Sequence, residues 1–182
     1  GCYGDGGAVF TDHDLWAERI RSFRVHGKGK DKYDNVRVGI NSRLDTLQAV
    51  VLQVKLQAFT EYELEAVNRV AARYSDQLGG LVGIPSVGED FYSSWAQYSI
   101  MLESEKERDG LKAFLKERDI PSMIYYQKTM HEQEVFKTVP CVTDLHTAEK
   151  ICRRVLSLPM HPYLTQTEQE EVVGAVKDYL GR

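Results

Sequence analysis

Two apolar stripes at helical spacing dominate the middle of the chain, and they disagree in phase. From Asp45 onward, Leu47, Val51, Val54 and Ala58 form one stripe; Leu64, Val67, Ala71, Tyr74 and Leu78 form a second. One straight helix cannot bury both on the same side, so the pattern predicts a bend near Phe59 to Glu63. A helix that changes its buried face changes partner, so the domain boundary is placed there, dividing residues 1–59 from 60–182. Gly79-Gly80 ends the second stretch. Upstream, Ala8 to Thr11 is short, apolar and strand-like, and Asp12 is placed to cap a helix reaching Phe23. That helix carries Leu15, Trp16, Arg19, Ile20 and Phe23 along one stripe. Val36 to Ile40 reads as a short extended segment.

Downstream the pattern is that of a compact α+β unit. Trp95 to Leu102 alternates as a half-buried strand, with Gln97 and Ser99 between Ala96, Tyr98 and Ile100. Glu107 to Arg118 reads as a helix, Met123 to Tyr126 as a strand, Asp144 to Val155 as a helix and Leu156 to Leu158 as a third strand. Thr165, with Glu168 three residues on, forms a capping box for a terminal helix reaching Leu180.

Composition changes this picture little but excludes much. The 182 residues are 42% hydrophobic and 27% charged, ordinary for a globular chain that buries a core. A net charge of −4 argues against a general nucleic-acid or anionic-membrane binder. No apolar run reaches membrane-spanning length and no signal-peptide pattern is present. Cys2, Cys141 and Cys152 show no CxxC spacing and cannot all pair, which suits free thiols in a reducing cytoplasm. The first residues, Gly1-Cys2-Tyr3-Gly4-Asp5-Gly6-Gly7, read as the middle of a longer chain. They fit neither a P-loop nor a dinucleotide fingerprint.

Candidate chemistry is sparse. The five histidines have no metal-ligand spacing. Lys28 and Lys30 sit among Gly and Asp in a solvated loop, unlike a desolvated lysine nucleophile. His131 follows a Tyr-Tyr strand in a place where a side chain can face a ligand, or simply stand exposed. The strongest feature is the polar knot Asn41-Ser42-Arg43 at the start of the long helical pattern. Asn or Ser there can cap the helix, and Arg43 adds a rigid cationic fork. The same arrangement suits an anion. Both readings stand on the residues alone.

Taken together, several segments resemble one family. These are Gly1 to Ala8, Arg24-Val25-His26-Gly27, Gly39 to Ala49, Ile124-Tyr125-Tyr126 with Met130-His131, and Leu156-Ser157-Leu158-Pro159-Met160-His161. They are similar to the C-terminal half of the DegT/DnrJ/StrS family, the pyridoxal-phosphate-dependent sugar-nucleotide aminotransferases. The subgroup resembled aminates a 3-keto sugar such as a UDP-linked 2-acetamido-3-keto-glucuronate. The resemblance implies an α/β fold of the aspartate-aminotransferase type: here the tail of a large domain with a mainly parallel sheet, then a complete small α+β domain. It also implies a cytoplasmic homodimer with active sites at its interface, pyridoxal 5'-phosphate as cofactor, and glutamate as amino donor. Nucleic acid and membrane are not expected partners.

By the same resemblance the Schiff-base lysine falls just upstream of Gly1, so no catalytic residue is expected in this chain and the 182 residues alone are expected to be inactive. Asn41 is expected to reach the cofactor phosphate of the neighbouring subunit. Arg43, Tyr125, Tyr126 and His131 are expected on the substrate side. The chain departs from the family at Tyr126-Gln127-Lys128-Thr129-Met130-His131, where Tyr-Pro-x-Pro-Leu-His is common; losing both prolines implies a less rigid loop. A sugar dehydratase or lyase of the same family, and a non-catalytic regulatory module, are the alternatives that the upstream residues would distinguish.

Overall fold

A computed structural model of the chain describes residues 3–140 and 143–181. The expectation of free thiols at Cys2 and Cys141 lies outside the described residues; Cys152 is a free, half-buried thiol. The chain divides into two compact units, Gly1–Glu61 and Tyr62–Arg182.

The first unit holds two helices, α1 (Asp14–Phe23) and α2 (Thr46–Ala58). Asp12 does not cap α1. His13 takes the cap position, and its N–H is accepted by Oγ1 of Thr11 at 3.1 Å. Nor do Asn41 or Ser42 cap α2: Asp45 stands at the cap position with no side-chain bond to the helix. Ala8 to Thr11 forms no strand, because no described residue pairs with it, and Phe10 is 92% exposed. Val36 to Ile40 likewise forms no ladder; around it are only the isolated bridges Val25–Asn41 and Lys28–Asn35. Every buried apolar side chain among the described residues belongs to the second unit. The first unit instead exposes Val9, Trp16, Val38, Leu47 and Val54.

The phase change between the two stripes coincides with a π-helical turn, Phe59–Glu63, followed by α3 (Leu64–Leu78). The wider i→i+5 turn inserts the extra residue needed to rotate the apolar face. In the second unit β1 (Tyr98–Met101) pairs antiparallel with β2 (Val155–Leu158), in a register that sets Tyr98 opposite Leu158 and Ile100 opposite Leu156. Single bridges extend this pair on both sides, Gly83 to Met101 and Met123 to Ser157. Met123 to Tyr126 is therefore one rung and not the predicted strand. Beyond Ile124 the chain turns outward, and Tyr125 and Tyr126 are exposed.

Four helices pack around the strands in this unit. α4 (Glu105–Lys116) and α6 (Gln166–Leu180) pack together, α3 packs on α6, and α5 (His146–Arg154) packs on α4. Ser104 caps α4, and the capping box Thr165–Glu168 starts α6 as its sequence predicts. The core comprises Tyr74, Leu78, Tyr98, Ile100, Leu111, Leu115, Leu156 and Val176, each stabilising by about 1.5–3 kcal/mol through burial. Its polar groups are matched. Tyr74 donates to the carbonyl of Pro159 at 3.0 Å, the hydroxyls of Tyr98 and Ser75 meet at 2.8 Å, and Gln169 donates to the carbonyl of Val70 at 2.8 Å. Burial pushes the phenols of Tyr74 and Tyr98 above their ordinary range. Among the described residues, no helix is long and apolar enough to cross a membrane.

Candidate functional site

In the first unit, Arg24 to Gly27 and Gly39 to Ser42 cross antiparallel at very close range. The N–H of Ile40 donates to the carbonyl of Phe23 at 2.9 Å, His26 to Ile40 at 3.0 Å, and Ser42 to Arg24 at 2.9 Å. The glycines explain why so short a crossing forms. A Cβ on Gly27 would lie 1.7 Å from the carbonyl oxygen of Arg37, at a φ of +72° that disfavours other residues. A Cβ on Gly39 would lie 2.2 Å from the nitrogen of Gly27. Gly39 packs on the backbone at Gly27, and Gly27 in turn on the carbonyl of Arg37, so only bare backbone fits at either position.

The crossing projects Asn41 and Arg43 outward, both exposed. Nε of Arg43 donates to Oδ1 of Asn41 at 3.2 Å, which aligns the amide beside the guanidinium. Among the described residues neither side chain makes another hydrogen bond or ion pair. Four guanidinium N–H groups and the Asn41 amide N–H₂ are thus available to one acceptor, a donor set matched to a phosphate or carboxylate. Because α2 begins beyond them at Thr46, neither side chain is consumed in capping.

Tyr125, Tyr126 and His131 belong to the second unit. The tyrosine rings meet edge to face, 5.7 Å between centroids, across a cis peptide bond. Tyr125 borders an open cleft of about 340 Å³ whose rim includes Gln97, Ser122, Met123 and Met160. His131 sits in a 3₁₀ turn, Met130–Glu132, opened by Thr129. The Glu132 carboxylate accepts from the backbone N–H of Thr129 at 3.0 Å and from its hydroxyl at 2.8 Å. These bonds, the backbone one foremost, hold its pKa below the ordinary carboxylate value. Nε2 of His131 lies 3.0 Å from Oε1 of Glu149, and Nδ1 lies 3.0 Å from Oγ1 of Thr129.

Thr129, Glu132 and Glu149 were not singled out from sequence. The Thr-x-x-Glu spacing of the first two is a readable capping box. Glu149 carries no such signal, because it meets His131 from 18 residues away. Among the described residues no three His, Cys, Asp or Glu side chains converge as a metal site.

The model of the DegT/DnrJ/EryC1/StrS aminotransferase family matches residues 2–177. The chain is 40% identical over 181 residues to a UDP-2-acetamido-2-deoxy-3-oxo-D-glucuronate aminotransferase of Pseudomonas aeruginosa, covering 97% of this chain and 47% of that protein. It is 38% identical over 183 residues to a pleiotropic regulatory protein of Geobacillus stearothermophilus, covering 98% of this chain and 48% of that one. The crystal structure of a DegT DnrJ EryC1 StrS aminotransferase from Brucella abortus superposes with a TM-score of 0.94 at 47% identity, over 100% of this chain and 48% of that one. The chain therefore spans about half the length of the relatives it matches. Its α/β architecture is that of one half of the sugar aminotransferase fold. The family match runs across both units, and the chain belongs to the DegT/DnrJ/EryC1/StrS aminotransferase family.

Proposed function

We propose that these residues are the C-terminal half of a cytoplasmic, homodimeric, pyridoxal-phosphate-dependent aminotransferase that aminates a keto sugar nucleotide with glutamate as donor. The observation that carries this reading is the 40% identity to the Pseudomonas 3-oxo-glucuronate aminotransferase along 97% of the chain. Residues 1–59 are then the tail of the large domain and 60–182 the small domain. The apolar side chains exposed on the first unit, Trp16, Val38, Leu47 and Val54 among them, support this reading, since such a surface is ordinarily covered.

Asn41 and Arg43 fit the cofactor's phosphate or the substrate's anionic groups, because their free N–H groups have no competing acceptor among the described residues. In this reading the Asn41 amide holds the cofactor phosphate of the neighbouring subunit, while Arg43 holds the acidic sugar or its diphosphate. Tyr125 and Tyr126 offer ring faces and phenols to the substrate side, with His131 beside them in the same loop. When bound, the cofactor supplies the electron sink through which an amino group is exchanged. On this reading the lysine that would hold it is not among the 182 residues, which alone should not transaminate.

The test is to supply the parent protein with glutamate, pyridoxal phosphate and UDP-2-acetamido-3-keto-glucuronate. Formation of 2-oxoglutarate that depends on the sugar nucleotide is expected; its absence at saturating cofactor overturns the reading. A second reading, a regulator on the same fold, draws on the 38% identity to the Geobacillus regulatory protein. It requires that the parent fail this assay while retaining its fold.

A further inference from the structure

His131 stands in the loop that carries Tyr125 and Tyr126, and its ring is held at Nε2 by a carboxylate. Glu149 of α5 meets Nε2 at 3.0 Å, and Oγ1 of Thr129 lies beside the ring, 3.0 Å from Nδ1 and 3.4 Å from Nε2. The side chains of His131 and Glu149 are only 27% and 28% exposed, so water competes weakly for the contact. An ionised carboxylate can only accept, which places a proton on Nε2. The second oxygen of Glu149 faces Nδ1 of His146 at 3.4 Å. Thr129 is itself buried, and its N–H and hydroxyl are engaged by Glu132. Between Tyr125 and Phe136 the loop has no strand ladder, only short turns. The Glu149 carboxylate ties it to a helix of the unit's packed body.

We propose that Glu149 is a positioning residue. It fixes the ring of His131, and through that ring the loop that presents Tyr125 and Tyr126; His131 is thereby a loop anchor through Nε2. The proposal rests on the aminotransferase reading for its kinetic arm only. In the parent protein, Glu149→Ala should raise the KM for the sugar nucleotide about tenfold, as small displacements of substrate-positioning groups do. The half-reaction with glutamate should be unchanged. Glu149→Gln keeps an oxygen that accepts from Nε2–H and should stay within about threefold of the unsubstituted protein on the same ground. In a His131→Phe background, Glu149→Ala should add no further loss.

The structural arm uses ¹⁵N-histidine labelling of the parent. A slowly exchanging Nε2–H signal from His131 is expected, retained in Glu149→Gln and lost in Glu149→Ala. Loss of that signal in Glu149→Gln overturns the proposal even where the alanine variant does not fold. So does an unchanged signal, or an unchanged sugar KM in an active enzyme, in Glu149→Ala. If the unsubstituted parent shows no transamination while the signal behaves as expected, the functional reading fails and the anchoring role stands.

Discussion

Replacing Gly39 with alanine tests whether the crossing is what presents Asn41 and Arg43. The new Cβ would sit 2.2 Å from the nitrogen of Gly27, 2.6 Å from the oxygen of Phe23 and 2.7 Å from the carbonyl carbon of His26. All three are backbone atoms, so no side chain can swing aside. Ordinary contact begins near 3.4 Å, and the two segments must part by about an ångström. The bonds Ile40 to Phe23, His26 to Ile40 and Ser42 to Arg24, now 2.9–3.0 Å, would then lengthen to about 4 Å, beyond useful hydrogen bonding. At about 1 kcal/mol net for each, the loss is about 3 kcal/mol. Because the crossing holds Asn41, cofactor affinity should fall with stability. Urea denaturation and pyridoxal-phosphate titration of the parent protein measure both. Gly7→Ala is the control, since nothing lies within 4 Å of its Cβ. A Gly39→Ala parent with unchanged denaturation midpoint and unchanged cofactor affinity would refute the argument.

Asn41→Asp replaces an amide donor by a carboxylate that pairs with Arg43 and repels phosphate. It should leave the melting temperature of the parent unchanged and weaken pyridoxal-phosphate binding by about tenfold, the worth of one charge-assisted hydrogen bond. Gly174 lies inside α6 with nothing within 4 Å of its Cβ; Gly174→Ala should stabilise the protein by about 0.5–1 kcal/mol, read as a higher denaturation midpoint. Tyr74→Phe leaves the Pro159 carbonyl without its 3.0 Å donor and should cost about 1–2 kcal/mol by the same measurement. Burial raises the folded pKa of Tyr74 and Tyr98 above the ordinary 10.0. Their neutral form favours the fold, so this stability is fully present below pH 10 and is lost as pH rises through the folded values. Equilibrium denaturation should show the loss beginning above pH 10 and reduced in Tyr74→Phe.

The second unit was readable from sequence because its residues bury one another. The stripe residues Ala71, Tyr74 and Leu78 face the same core as Leu111 and Leu115, and each period reports a contact made within the chain. The capping box at Thr165–Glu168 is local and needs no tertiary knowledge. The first unit misled at Ala8 to Thr11 and Val36 to Ile40. Both have the composition of strands, but a strand exists only when a neighbour pairs with it, and no described residue provides a ladder for either. At Met123 to Tyr126 the apolar run was read through to its end, whereas one rung to Ser157 is all the antiparallel pair offers.

The site divides along the same line between local and distant causes. Asn41-Ser42-Arg43 is visible in the sequence as a polar knot that suits either a helix cap or an anion, and the helix starts a few residues beyond it. A capping side chain bonds its own helix and has little left to offer elsewhere. With Asp45 at the cap position and the Asn41 side chain bonded to Arg43 alone among the described residues, the knot keeps its donors. What frees them is the apposition of Gly27 and Gly39, which are twelve positions apart and joined by no periodicity a sequence can display. His131 reverses the lesson. Its exposed-loop setting suggested a free imidazole, and a carboxylate from 18 residues away occupies it instead. In both places the identity of the polar residue was legible, but its availability was decided by a contact that sequence spacing does not record. Availability is what separates a ligand-holding group from a scaffold-holding one, so Asn41 and Arg43 gain weight as binding residues while His131 gains weight as an anchor.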